Sequence, residues 1–137
     1  MMSLERSLLD TDILSAIMRN HPLAITQANA YLSLHHQFSF SIITQYEILR
    51  GLKAKGLINQ ISSFDLLCRI SYIVPLTDEV IIKASNIYAD LYKFGLIISD
   101  ADILIAASAI VNGFKLITNN TKHFERIAGL NIENWLK

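Results

Sequence analysis

Cysteine is almost missing from this chain. Cys68 is the only one in 137 residues, which excludes an internal disulfide and any zinc cage built on cysteines within one chain. On its own it reads as a small apolar residue of the interior. Proline and glycine are also scarce, at two and five, and no Pro/Gly-rich linker, low-complexity tract or internal repeat divides the sequence. A single domain over residues 1–137 is the simple reading. Neither sign of charge is in excess. Twelve basic and twelve acidic residues cancel, so there is no global electrostatic footprint for nucleic acid, although a cation in an acidic pocket would invert the potential locally. Long hydrophobic runs are missing too. Mean hydropathy is high at +0.36, yet the most apolar window, 103–111, is about half the roughly 18 residues that a membrane helix needs. It reads as a buried helix, and no membrane association is expected. The opening string MMSLERSLLDTD lacks the basic region, apolar stretch and cleavage site of a secretory signal, which points to a cytoplasmic protein.

What remains is core-forming material: 52% of residues are hydrophobic and 18% charged, which rules against disorder. Short apolar runs at 7–9, 38–40, 70–74 and 115–118 have strand length and polar boundaries. Helical periodicity fills the gaps at 13–19, 22–34, 44–55, 58–68, 78–94 and 101–112. The 78–94 stretch is the clearest, with Thr77 to cap it, Asp78 and Glu79 in its first turn and Gly95 to end it. Strands alternating with helices predict an α/β layer fold with a largely parallel sheet.

Three acids stand where an apolar run gives way to a helix: Asp10 in RSLLDTD, Glu47 in FSFSIITQYEI and Asp102 in SDADILIAASA. In a parallel sheet the strand ends and helix starts share one edge, so these acids would meet in one pocket. Each also has a plainer role. Asp10 or Asp12 suits the N-cap of a helix over 13–19. Thr44 and Glu47 match a capping box, and Ser99 with Asp102 resembles one. As a set, the acids call for a partner, because two like charges ~4 Å apart repel by ~4 kcal/mol at an effective dielectric of 20. Mg²⁺ or Mn²⁺ meets that need, since both favour carboxylate and water ligands. His21, His35, His36 and His123 show no zinc-ligand spacing and read as surface or structural residues.

With these residues assembled, the chain resembles the PIN-domain family, and specifically the VapC-type toxins of bacterial toxin–antitoxin pairs. The resemblance rests on LLDTDIL, SIITQYEILRG, DADILIAASAI and LITNNTKHFERIAGLNIENW, in order and over nearly the whole length. It implies a three-layer α/β/α domain with a central, mostly parallel sheet, and a ribonuclease dependent on Mg²⁺ or Mn²⁺. It further implies RNA as substrate, a VapB-like antitoxin as partner and a homodimer as the assembly. Asp10, Glu47 and Asp102 become the catalytic and metal-binding acids; Thr11, Ser41, Thr118 and Asn119 fall on the family's motifs. Two positions depart from its pattern. Asn120 stands where many relatives carry a fourth acid, which weakens the case for a second metal. Asp12 stands where Asn is commoner, and capping of the first helix is the favoured reading. Asp100 and Glu125 are auxiliary candidates.

Arg50, Lys53, Lys55, Lys115, Lys122 and Arg126 are candidates to grip an RNA backbone, with ordinary surface charge as the plainer reading. Tyr31, Leu32, Leu34 and the 58–68 helix offer a dimer contact or an antitoxin groove, although a plain core explains them as well. Two other functions stay open. Asn120 favours a noncatalytic partner-binding domain of the same fold. The Asp10-Thr11-Asp12 string is similar to that of haloacid-dehalogenase-type phosphatases, whose first Asp is a nucleophile, but Leu14 and the absence of a suitable lysine motif speak against it.

Overall fold

A computed structural model describes residues 5–137, in which five short strands alternate with helices. In chain order they are β1 (Ser7–Leu9), α1 (Thr11–Met18), α2 (Pro22–His35), β2 (Ser39–Ser41), α3 (Ile42–Ala54) and α4 (Ile58–Arg69). Next come β3 (Tyr72–Val74), α5 (Asp78–Lys93), α6 (Asp100–Val111), β4 (Lys115–Ile117), α7 (Thr121–Phe124) and β5 (Ile132–Glu133). The strands form one sheet in the order β3-β2-β1-β4-β5, parallel throughout.

The alternation of side chains along each strand splits the core into two layers. Leu8 and Leu116 pair across β1 and β4 and face a cluster that includes Val80, Ile87 and Leu91 of α5 and Ile103 and Ala107 of α6. Their neighbours Leu9 and Ile117 also pair, and face Ile13 of α1, Tyr31 of α2, Ile48 of α3, Phe64 of α4 and Trp135. Helices thus cover both faces, giving the α/β/α layering expected. Coverage on both faces is why all three residues of β1, the polar Ser7 included, are buried.

Caps explain where the boundaries differ from those expected. Ser41 accepts the Ile43 amide through its Oγ at 3.0 Å, so α3 starts at Ile42, before Thr44. β2 correspondingly spans Ser39–Ser41. Thr77 caps α5 as expected, accepting the Val80 amide at 3.2 Å. Gly113, at φ +71°, takes the left-handed turn after α6 that a side chain would resist. The periodicity missed α7 and β5, which have four and two residues and are too short to show a period. Cys68 differs as well: it is only half-buried, with its thiol pushed up by burial and then by Asp65.

Tyr31 ties α2 to the sheet. Its hydroxyl, on a side chain 2% exposed, accepts the Ser7 amide at 3.0 Å. Tyr31→Phe strands that buried donor and is expected to cost about 1–3 kcal/mol. Urea unfolding measures this directly; an unchanged midpoint would show that the bond contributes nothing.

Candidate active site

Strand order reverses beside β1: the chain first adds β2 and β3 on one side, then β4 and β5 on the other. Such a switch point opens a crevice at the carboxyl ends of the strands. Asp10 follows β1 at this crevice and Thr118 follows β4. The Asp10 amide donates to the Ile117 carbonyl at 2.9 Å, continuing the ladder to the lip. Its carboxylate is pinned on both sides, Oδ1 accepting the Thr11 amide at 2.8 Å and Oδ2 the Thr118 hydroxyl at 2.8 Å.

Asp10 is only 6% exposed. Burial above all, then the negative charge of Asp12, pushes its pKa up to about 7, against the opposing hydrogen bonds from Thr118 and Thr11; Asp102 adds to the rise. Asp12 is also raised, first by burial and further by Asp102, while the Asn119 amide opposes the rise. That amide donates to Asp12 Oδ2 at 3.0 Å. The other oxygen, Oδ1, is buried without a hydrogen-bond partner. Asp12 is therefore not the helix cap. Asp10 caps α1, which begins at Thr11, and Asp12 keeps one buried carboxylate oxygen without a hydrogen-bond partner.

Glu47 arrives from α3. Its Oε1 accepts the Thr11 hydroxyl at 2.6 Å, and Thr11 Oγ1 lies 3.1 Å from that of buried Thr44. The capping-box reading fails here, since Glu47 lies on the second turn of a helix capped by Ser41. Arg50 Nη2 stands 3.9 Å from Glu47 Oε2. On α6, Ser99 Oγ accepts the Asp102 amide at 3.2 Å as a cap. The Asp102 carboxylate faces His123, with Oδ2 3.4 Å from Nδ1. His123 also contacts Asn120 Nδ2 at 2.8 Å.

The aspartates 10, 12 and 102 are thus in electrostatic contact, and Glu47 joins them through Thr11. Among the described residues, no three His, Cys, Asp or Glu side chains stand close enough to grasp an ion directly as they are placed. Of the auxiliary residues, Thr11, Thr118, Asn119 and Asn120 join the network. Ser41 is a buried helix cap, and exposed Asp100 lines a separate cleft with Ile81 and Tyr88 of α5. Glu125 is the exposed C-cap of α7. Sequence reading placed His123 outside the site. Its three-residue step from Asn120 was the available signal, and α7 turns that spacing into contact. Lys115 is committed to Glu133 at 2.9 Å and is not free to grip a ligand.

Fold and site together define an α/β domain with a cluster of carboxylates, the buried Asp10 among them, at the carboxyl edge of its sheet. Residues 7–130 match the PIN domain family. The chain is 30% identical to Ribonuclease VapC2 of Rickettsia felis, with 95% of this chain and 98% of that protein aligned. It is 42% identical to Ribonuclease VapC1 of Methanocaldococcus jannaschii over a shorter region, 65% of this chain and 63% of that one. Its fold superposes on a chain in the crystal structure of VapBC2 from Rickettsia felis bound to a promoter DNA fragment, with a TM-score of 0.83 and 28% identity; 94% of this chain and 98% of that one are covered. The chain belongs to the PIN-domain family, and the phosphatase reading is set aside.

The raised pKa of Asp10 makes stability depend on pH. In the fold Asp10 keeps its proton up to about pH 7, whereas the unfolded chain releases it near 3.8. The native state therefore holds the extra proton between these values, and its advantage is lost as pH rises through 7. Asp10→Asn removes the penalty. The variant is expected to exceed the parent by up to about 4 kcal/mol at pH 8 and to differ little at pH 4, without added divalent ions. Urea melts at both pH values test this; parallel curves would place the charge elsewhere.

Proposed function

We propose that this chain is a divalent-metal-dependent endoribonuclease, using Mg²⁺ or Mn²⁺, and the toxin of a VapBC-type pair. The proposal includes cytoplasmic residence, a homodimer and one catalytic domain over residues 1–137. The observation that carries the nuclease reading is the cluster of buried Asp10 with half-buried Asp12 and Asp102, whose charges raise the Asp10 pKa, and the buried Asp12 Oδ1 that lacks a hydrogen-bond partner. Such a pocket is costly when empty of positive charge and is relieved by a small hard cation. The donor set of carboxylates, hydroxyls and amides fits Mg²⁺ or Mn²⁺ and is wrong for a thiolate-seeking metal. Mg²⁺ keeps several of its waters, so carboxylates too dispersed to chelate it directly still fit a hydrated ion.

Asp10, Glu47 and Asp102 would hold the ion, directly or through water, with Asp12 beside them. When bound, it supplies Lewis acidity toward a phosphate oxygen and lowers the pKa of water in the pocket. The side chains do the rest. Thr118 Oγ and the Thr11 amide fix both oxygens of Asp10, and the Thr11 hydroxyl orients Glu47 through Oε1. Glu47 Oε2 stands 3.9 Å from Arg50 Nη2, which balances part of the charge with which Glu47 would hold the ion directly or through water. Asn120 adds no charge, and its amide is turned to His123.

The Rickettsia relative is named a ribonuclease, and the similar fold was solved in a VapBC complex; these support RNA as substrate and a VapB-like protein as partner. Exposed Tyr88 and Tyr92 stack on α5 with ring centroids 6.1 Å apart, an apolar face that supports self-association. The described helices include none long and apolar enough to cross a membrane.

Purified protein is expected to cut single-stranded RNA with Mg²⁺ or Mn²⁺ and to stop on addition of EDTA. Asp102→Asn and Glu47→Gln should each slow cutting by at least about 100-fold while leaving the circular dichroism spectrum intact. Undiminished cutting in both variants would remove the pocket from the chemistry. A folded protein that bound a VapB-like partner yet cut no RNA would be the noncatalytic domain instead.

A further inference from the structure

A cleft of about 430 Å³ opens directly beside Glu47, between α1, α3 and the start of α4. Thr11 and Glu47 line it together with Ile48 and Leu52, and Arg19 and Lys55 stand among its lining residues with exposed side chains. We propose that this cleft seats the nucleotide next to the scissile phosphodiester, and that Gly51 keeps it open. The proposal rests on the ribonuclease reading and goes beyond it by assigning a substrate subsite.

Three observations support it. The first is charge: Arg19 and Lys55 take part in none of the ion pairs found among the described residues. They are free to meet backbone phosphates, whose neutralisation dominates nucleic-acid affinity. The second is shape and surface. The volume lies within the range of small-ligand pockets, and Met18, Ile48 and Leu52 offer a base an apolar surface in the same cleft that the exposed cations Arg19 and Lys55 line.

The third is Gly51 itself. It sits inside α3, where glycine is the poorest helix former after proline. No positive φ requires it, because its backbone is helical and it is absent from the left-handed glycines. No close approach requires it either, since a Cβ built there meets nothing within 4 Å. Packing and backbone geometry therefore leave glycine unexplained, whereas its place on the cleft wall accounts for it. A side chain at 51 would enter the space one turn from Glu47.

Gly51→Leu fills the cleft, and Gly51→Ala tests the same position with a minimal side chain. Both are expected to fold with a melting temperature at or above that of the parent. A fluorescein-labelled 12-nucleotide single-stranded RNA in EDTA is the binding probe. For Gly51→Leu, its Kd by anisotropy should rise at least tenfold, and in Mg²⁺ KM should rise with kcat within about twofold. For Gly51→Ala the rise should be two- to threefold. Arg19→Gln with Lys55→Gln should flatten the salt dependence, lowering the slope of log K against log salt by about 1.4, as expected for two lost contacts to a single strand. Parental Kd and KM in Gly51→Leu, on a protein that does cut RNA, would overturn the subsite and leave the nuclease standing. The same holds if RNA binding is parental but binding of a purified VapB-like partner is lost, which would give the cleft to a peptide. A parent protein that neither binds nor cuts RNA would overturn the ribonuclease reading itself.

Discussion

The parallel pairing of β1 with β4 is the constraint on which the site depends. These strands are more than a hundred residues apart in sequence, and only their register, Leu9 opposite Ile117, brings Thr118 to the carboxylate of Asp10. One residue of slip in β4 would turn Leu116 and Ile117 to the opposite faces of the sheet, out of the layers they share with Leu8 and Leu9. The hydrophobic core therefore sets the position of the polar site. Four buried aliphatic side chains hold the register, and the acid at the strand end inherits their precision.

That arrangement creates an electrostatic conflict that the fold alone does not resolve. Asp10 caps α1, Asp12 is the second residue of that helix and Asp102 lies in the first turn of α6. Helix N-termini favour negative charge by roughly 0.3–1 kcal/mol each. Repulsion between neighbouring carboxylates in a partly buried site is several times larger, so the dipoles soften the conflict without cancelling it. Protonation of Asp10 is one relief, as its pKa near 7 shows. A bound cation is the other, and it restores the charge that protonation removes.

Much of this was legible in the sequence. Strands with both faces covered left apolar runs and α5 left a clean stripe, whereas of the three principal acids only Asp10 stands at a strand-to-helix transition: Glu47 lies on the second turn of α3, and Asp102 opens a helix that follows α5 with no strand between. Where reading failed, local and distant explanations competed for the same residue. Thr44 and Glu47 fit a capping box by spacing, but Ser41 starts the helix earlier and Thr11, from another element, claims Glu47. Asp12 fits a cap equally well, yet Asp10 takes that role and Asn119, from the far side of β4, claims Asp12. Spacing along a chain carries no information about which of two satisfied local motifs a distant partner will dissolve.

The C-terminal segment extends the same logic to residues that carry no charge. Asn134 donates from Nδ2 to Asn119 Oδ1 at 2.9 Å, and its own Oδ1 accepts the Leu136 amide at 2.9 Å. Asn119 in turn presents its amide to Asp12. Buried Trp135, packed 5.7 Å from the Tyr31 ring, anchors this segment to the layer beneath α2. Asp12 thus takes its position from the helix it belongs to and also from the end of the described chain. The pocket's negative charge gathers on the side of α1 and α6, while the α7 side presents Asn120 and His123. A substrate phosphate approaching from α7 would meet the Asn120 amide and the His123 ring before the carboxylates.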